Sequence, residues 1–137
     1  MKFPTEKLRG MPVRRYMVTQ VVTFTPEMKI SQAVATLVKY SYTGAPVVDA
    51  DGVLVGMLSE KDCLRVAVLA NSDGAGTALV GDYMTTKVDS VTPDVDLLDV
   101  AERFVRAPYK RLPVVERGKL VGQISRIDVL RAIADLF

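Results

Sequence analysis

Apolar positions along this chain fall into a pattern that is written twice. Val21, Val22 and Phe24 form a short β-prone run that stops at Thr25-Pro26. Thr25 suits a helix N-cap, Pro26 the first helical position, and Glu27 adds an acid to the first turn. Ile30, Ala33, Val34, Leu37 and Val38 then recur at helical spacing and mark one face of a helix that ends between 40 and 44. Pro46-Val47-Val48 begins a short buried strand, 49–52 reads as a hairpin turn, and 53–58 is the returning strand. Ser59 caps a second helix carrying Leu64, Val66, Ala67, Val68 and Leu69. The second half repeats the order. A strand near 88–91 and a cap at Thr92 precede a helix with Leu97, Leu98, Val100, Ala101 and Phe104. Strand 113–115, turn 116–118, strand 119–124 and helix 126–136 follow. Each half is β-α-β-β-α, and the fold class expected is α/β (α+β), with the two repeats packed as a pseudo-twofold pair.

The repetition is also literal. Tyr16-Met17 recurs as Tyr83-Met84, and Thr25-Pro26 as Thr92-Pro93. Ala45-Pro46-Val47-Val48 recurs as Leu112-Pro113-Val114-Val115. Gly56, Ser59 and Asp62 recur as Gly122, Ser125 and Asp128. The copies are offset by 67 residues before the hairpin turn and 66 after it, so the one length change falls where it costs least. The organisation expected is a polar lead-in at 1–12, repeats at 13–70 and 80–137, and a small polar linker at 71–79. Each half alone is near the size at which a core is marginal, so a shared core is expected.

Composition narrows the chemistry. The 137 residues include no histidine and one cysteine, Cys63. A Cys/His zinc site, a histidine-based triad and an internal disulfide are therefore excluded. A formal net charge of +2 implies neither nucleic acid nor membrane. No apolar run is long enough to span a bilayer, and a cytoplasmic location is the default. Cys63 reads as a small packed thiol. The apolar helix residues Leu64, Val68, Leu130 and Ile133 exceed what one small half can bury and point to pair and homodimer interfaces.

The Gly-x-x-Ser-x-x-Asp element has two readings. Ser-x-x-Asp is a capping box, with a hydroxyl at the N-cap and an acid at N3. The same atoms can also hold a ligand. Free N–H groups and a hydroxyl at a helix start favour an anion, and a neighbouring carboxylate can accept hydrogen bonds from a vicinal diol. A ribose 5′-phosphate carries both groups. Gly56 and Gly122 either admit a ring or sugar close to the strand or reflect tight strand packing. The duplication of the whole element behind a Pro-Val-Val strand favours the ligand.

Thr-Pro, an amphipathic helix, Pro-Val-Val, an acidic or glycine turn and Gly-x-x-Ser-x-x-Asp, in that order and twice, resemble the CBS domain, named for cystathionine β-synthase. The resemblance covers nearly the whole chain. It implies a module with two adenosine-nucleotide clefts between the halves, and further association into a homodimer. By the same resemblance Asp62 and Asp128 take the ribose hydroxyls, and Ser59 and Ser125 help to hold phosphate. Thr43, Gly44 and Ala45, with Lys110, Arg111 and Leu112, touch the adenine, and Val21 and Val88 line its slot. The leader of one repeat reaches the other repeat's cleft, so Thr19 faces the Asp128 site and Thr86 the Asp62 site.

The two clefts are not equivalent in charge. Arg126, Lys110 and Arg111 are expected beside Asp128, and the leader that the resemblance brings to it carries Arg14 and Arg15; the matching positions for Asp62 are Glu60, Thr43 and Gly44, with Gly81 and Asp82 on its leader and Lys61 as the one nearby cation. Arginine suits phosphate by charge and by bidentate bonding, and Arg126 and Arg14 are candidate phosphate contacts. A rim of solvated or acid-paired arginines is the plain alternative. The function expected is a regulatory sensor of AMP, ADP, ATP or S-adenosylmethionine, acting on an unidentified effector protein. The alternative is a dimerisation module with no physiological ligand. Catalysis is not expected, because Asp62 and Asp128 lie in separate repeats without a base, nucleophile set or metal cluster. No cofactor or metal is expected, and nucleic-acid binding through the basic residues is a weaker reading.

Overall fold

A computed structural model of the chain describes residues 5–69 and 75–137. Positions 71–74 of the expected linker, and 1–4 of the lead-in, lie outside the described residues. The chain divides into two compact units that interleave the repeats: Met1–Val21 with Asp89–Phe137, and Val22–Val88. Each unit therefore combines the body of one repeat with the leader of the other.

The helices are α1 (Thr5–Arg9), α2 (Ile30–Tyr40), α3 (Glu60–Leu69), α4 (Val80–Tyr83), α5 (Leu97–Arg106) and α6 (Arg126–Asp135), and the strands are β1 (Gly44–Val48), β2 (Leu54–Ser59), β3 (Arg111–Glu116) and β4 (Lys119–Ser125). β1 and β2 form one antiparallel hairpin, and β3 and β4 the other. In both, the register slips after the second Pro-Val position, between Val47 and Val48 and between Val114 and Val115. At the turns, Gly52, Arg117 and Gly118 adopt positive φ. The Asp49 carboxylate accepts the N–H groups of Asp51 and Val53 across the first turn.

The expected first strand of each repeat shrinks to a single parallel bridge, Phe24 with Val47 and Val91 with Val114. Proline follows two residues later in each copy and has no N–H for a ladder. The leader supplies the other edge of each hairpin, where Val18 pairs with Gln123 and Thr85 with Met57.

The expected caps Thr25 and Thr92 are corrected. α2 starts at Ile30 behind Lys29, and α5 at Leu97 behind Asp96, whose carboxylate accepts the Asp99 N–H at 3.0 Å. The leader explains the shift. The Pro26 and Met28 carbonyls accept from Gly81 and Val80, and Ile30 N–H donates to Ala78. In the other unit the Pro93 and Val95 carbonyls accept from Arg14 and Val13, and Leu97 N–H donates to Met11. With those groups committed to a second segment, the helix cannot begin at Thr-Pro.

Each unit has its own core, where the sequence led us to expect a shared one. Phe24, Ile30, Leu37, Val47, Leu58 and Val80 centre one core; Val13, Leu97, Phe104, Leu112, Val114 and Ile124 centre the other. Leu8 of α1 is buried in the latter, so the lead-in is more than a polar tail. The exchanged leader enlarges each core by residues such as Val80 and Val13.

Candidate functional site

Both Ser-x-x-Asp elements sit where a hairpin strand runs directly into a helix. At the end of β4, the Ser125 N–H and hydroxyl both donate to Asp128 Oδ2, at 2.8 and 2.9 Å. The Asp128 N–H points back to Ser125 Oγ at 3.4 Å. At the end of β2, Ser59 donates to Asp62 Oδ2 at 2.9 and 3.0 Å, and the Asp62 N–H reaches Ser59 Oγ at 3.2 Å. These are reciprocal capping boxes. Their carboxylates are nonetheless buried, with Asp62 only 3% and Asp128 only 2% exposed.

Sequence reasoning missed a third member of each element. Arg131 donates to Asp128 Oδ1 at 2.6 Å, and Arg65 to Asp62 Oδ1 at 3.4 Å. Both guanidinium groups reach in from exposed positions on the same helix as the acid. The signal was available, because an arginine follows the aspartate by three residues in both copies.

The segment before each Pro-Val-Val strand lies against the cap. Arg111 stands opposite Ser125 in the hairpin, and Arg126 N–H donates to the Lys110 carbonyl at 3.1 Å. Gly44 stands opposite Ser59, and Glu60 N–H donates to the Thr43 carbonyl at 2.8 Å. Lys110, Arg111 and Leu112 are thus gathered beside Ser125, Arg126 and Asp128, as Thr43, Gly44 and Ala45 are beside Ser59 and Asp62. The side chains of Leu112 and Ala45 belong to the cores, which leaves backbone at those two positions for other contacts. Thr19 and Thr86 are exposed and each follows a leader bridge, to Gln123 and to Met57. Val21 and Val88 are half-buried at the points where the chain passes from one unit to the other.

The cations expected at the Asp128 site differ in how far they are already engaged. Arg14 forms an ion pair with Asp94. Arg126 donates to the carbonyls of Tyr109, at 3.2 Å, and Ala107, at 3.5 Å, just past the end of α5. Lys110 and Arg111 make no salt bridge among the described residues.

The ligand reading of the strand glycines is corrected. A Cβ on Gly122 would stand 2.8 Å from the Val18 carbonyl oxygen, and one on Gly56 would stand 2.9 Å from that of Thr85. Both glycines admit the leader backbone, which fills the space a sugar would need.

In the Val22–Val88 unit, α2 and α3 enclose an open groove of about 630 Å³. Its walls include Val34, Leu37, Val38, Tyr42, Cys63 and Leu64. Burial, and then the neighbouring Asp62 charge, push the Cys63 thiol pKa upward and keep it protonated. In the other unit, burial first and Asp89 next raise the Tyr109 hydroxyl. Among the described residues no group of acids and cysteine could hold a metal, and no helix is long and apolar enough to cross a membrane.

A tandem pair of β-hairpins, each feeding a Ser-x-x-Asp-capped helix, defines a small class of two-repeat α/β modules. The family model for the CBS domain matches residues 13–69 and 80–135, and the chain belongs to that family. It is 31% identical over 118 residues to YhcV, a CBS domain-containing protein of Bacillus subtilis, covering 85% of this chain and 81% of YhcV. It is 35% identical over 122 residues to MJ1225 of Methanocaldococcus jannaschii, covering 89% of this chain but 42% of MJ1225, so it spans less than half of that relative. The crystal structure of CBSX2 in complex with AMP superimposes with a TM-score of 0.83 at 30% identity, covering 93% of this chain and 98% of CBSX2, a CBS-pair protein of Arabidopsis thaliana.

Proposed function

We propose that this chain is a non-catalytic regulatory module whose two Ser-x-x-Asp elements bind adenosine-containing ligands such as AMP, ADP, ATP or S-adenosylmethionine. The observation that carries the reading is the duplicated, buried carboxylate held by a serine cap at the mouth of a helix. Burying a carboxylate is costly, and a surface cap needs no such burial. A CBS-pair structure with AMP, at 30% identity over nearly the whole chain, supports the ligand class.

In this reading Asp62 and Asp128 accept ribose hydroxyls. Thr86 and Thr19 on the leaders donate to phosphate, and Ser59 and Ser125, whose hydroxyl protons go to Asp62 and Asp128, border it at the helix start. The adenine lies against the backbone of 43–45 or 110–112, with Val21 and Val88 lining its slot. Lys110 and Arg111 can meet a phosphate without leaving a partner, whereas Arg126 and Arg14 must first release theirs. The Asp128 site therefore favours the more anionic ligands, and the Asp62 site, with Glu60 in place of Arg126, the less anionic ones. Occupancy acts on an effector protein only if the ligand prefers one arrangement of the module over another.

The apolar α2–α3 face, with Val38, Leu64 and Val68 exposed, serves as the homodimer contact. Calorimetric titration of AMP into Asp128→Asn and Asp62→Asn separates the two sites. Asp128→Asn should lose the tighter phase and Asp62→Asn should keep it; equal losses would remove the asymmetry.

A further inference from the structure

The hydrogen-bond capacity of the two carboxylates limits what each can do for a ligand. A carboxylate oxygen has two lone pairs, about four sites per carboxylate. In Asp128, Oδ2 already accepts twice, from the Ser125 N–H and hydroxyl. Oδ1 accepts once, from Arg131 at 2.6 Å. One acceptor site remains. Asp62 is built the same way, but its Arg65 bond is long, at 3.4 Å.

We propose that Arg131 and Arg65 are specificity-determining residues that ration the ribose-reading oxygen, and that the inequality of their bonds makes the two sites read a diol differently. The proposal rests on the carboxylates reading ribose at all. With Arg131 on Oδ1, the Asp128 site can accept one hydroxyl of a vicinal diol. Either hydroxyl serves, so loss of one is compensated by the other. At the Asp62 site the loose Arg65 bond yields more readily, and both hydroxyls are accepted together. Neither arginine is confined by burial: the side chains of Arg131 and Arg65 are 61% and 50% exposed, so each can turn into solvent.

The test uses the full chain with the Asp62 site silenced by Asp62→Asn. Calorimetry measures AMP, 2′-deoxy-AMP, 3′-deoxy-AMP and 2′,3′-dideoxy-AMP on this parent and on its Arg131→Met derivative. In the parent, removing one hydroxyl should cost less than threefold, whereas removing both should cost about tenfold, the scale of one hydrogen bond to a charged acceptor. In Arg131→Met the freed oxygen accepts both hydroxyls. AMP should bind about tenfold more tightly, and each single deletion should now cost about tenfold. Arg131→Lys keeps the charge without the fork and should fall between the two; it carries the same test if Arg131→Met does not fold. In the mirror protein, Asp128→Asn, the single deletions should already be costly with Arg65 in place. Unchanged or weaker AMP binding in Arg131→Met, with single deletions still inexpensive, would overturn the rationing while leaving the ribose reading intact. A parent that binds the dideoxy nucleotide as well as AMP would overturn both.

Discussion

Gly122 stands where a methyl group would meet the Val18 carbonyl oxygen at 2.8 Å, and neither group is a flexible side-chain end. Backbone must shift to admit it, so Gly122→Ala should cost about 1–3 kcal/mol in urea unfolding. If the glycine instead served a ligand, alanine would leave stability intact and weaken only nucleotide binding. The glycine was visible in the sequence, but its reason was not. A strand glycine leaves the same trace whether a ligand or a distant segment approaches it, and the Val18 partner lies more than a hundred residues away. The capping serines and their partner acids were legible because their bonds are local. The arginines were legible in principle and overlooked, since an i,i+3 ion pair on a helix is usually an exposed and minor feature. What sets these pairs apart is the burial of the acid, which spacing does not reveal.

Helices and hairpins show how far local pattern carries. The amphipathic faces of α2 and α5 and the two turns followed from spacing and turn residues. The starts of α2 and α5 did not, because Thr-Pro has the local chemistry of an N-cap while the Pro26 and Pro93 carbonyls accept from the leader. The correction can be checked directly. Asp96→Ala removes a side-chain cap and should cost about 1 kcal/mol, whereas Thr92→Ala should change stability by less than about 0.5 kcal/mol. The reverse order in denaturant titrations would restore the Thr-Pro cap. The same exchange of leaders gives each unit a core of its own. Repeat boundaries taken from the sequence mark the copies, whereas the packing units are set by which leader each copy receives.

For the whole molecule, two properties follow from what each unit leaves exposed. Leu64 and Val68 are 65% and 80% exposed on the α2–α3 side, where a monomer gains nothing from large apolar groups. Leu64→Glu should convert a dimer to a monomer in light scattering without lowering the helical signal; a monomeric parent would refute the proposed contact. The second property is the pair of buried, serine-capped carboxylates, which the account assigns to adenosine ligands. The most direct measurement is calorimetric titration of AMP into the parent chain and into the double variant Asp62→Asn/Asp128→Asn, with circular dichroism to establish that both are folded. The account predicts saturable binding to the parent and loss of at least tenfold in affinity in the folded double variant. Equal AMP affinity in the two proteins would contradict it.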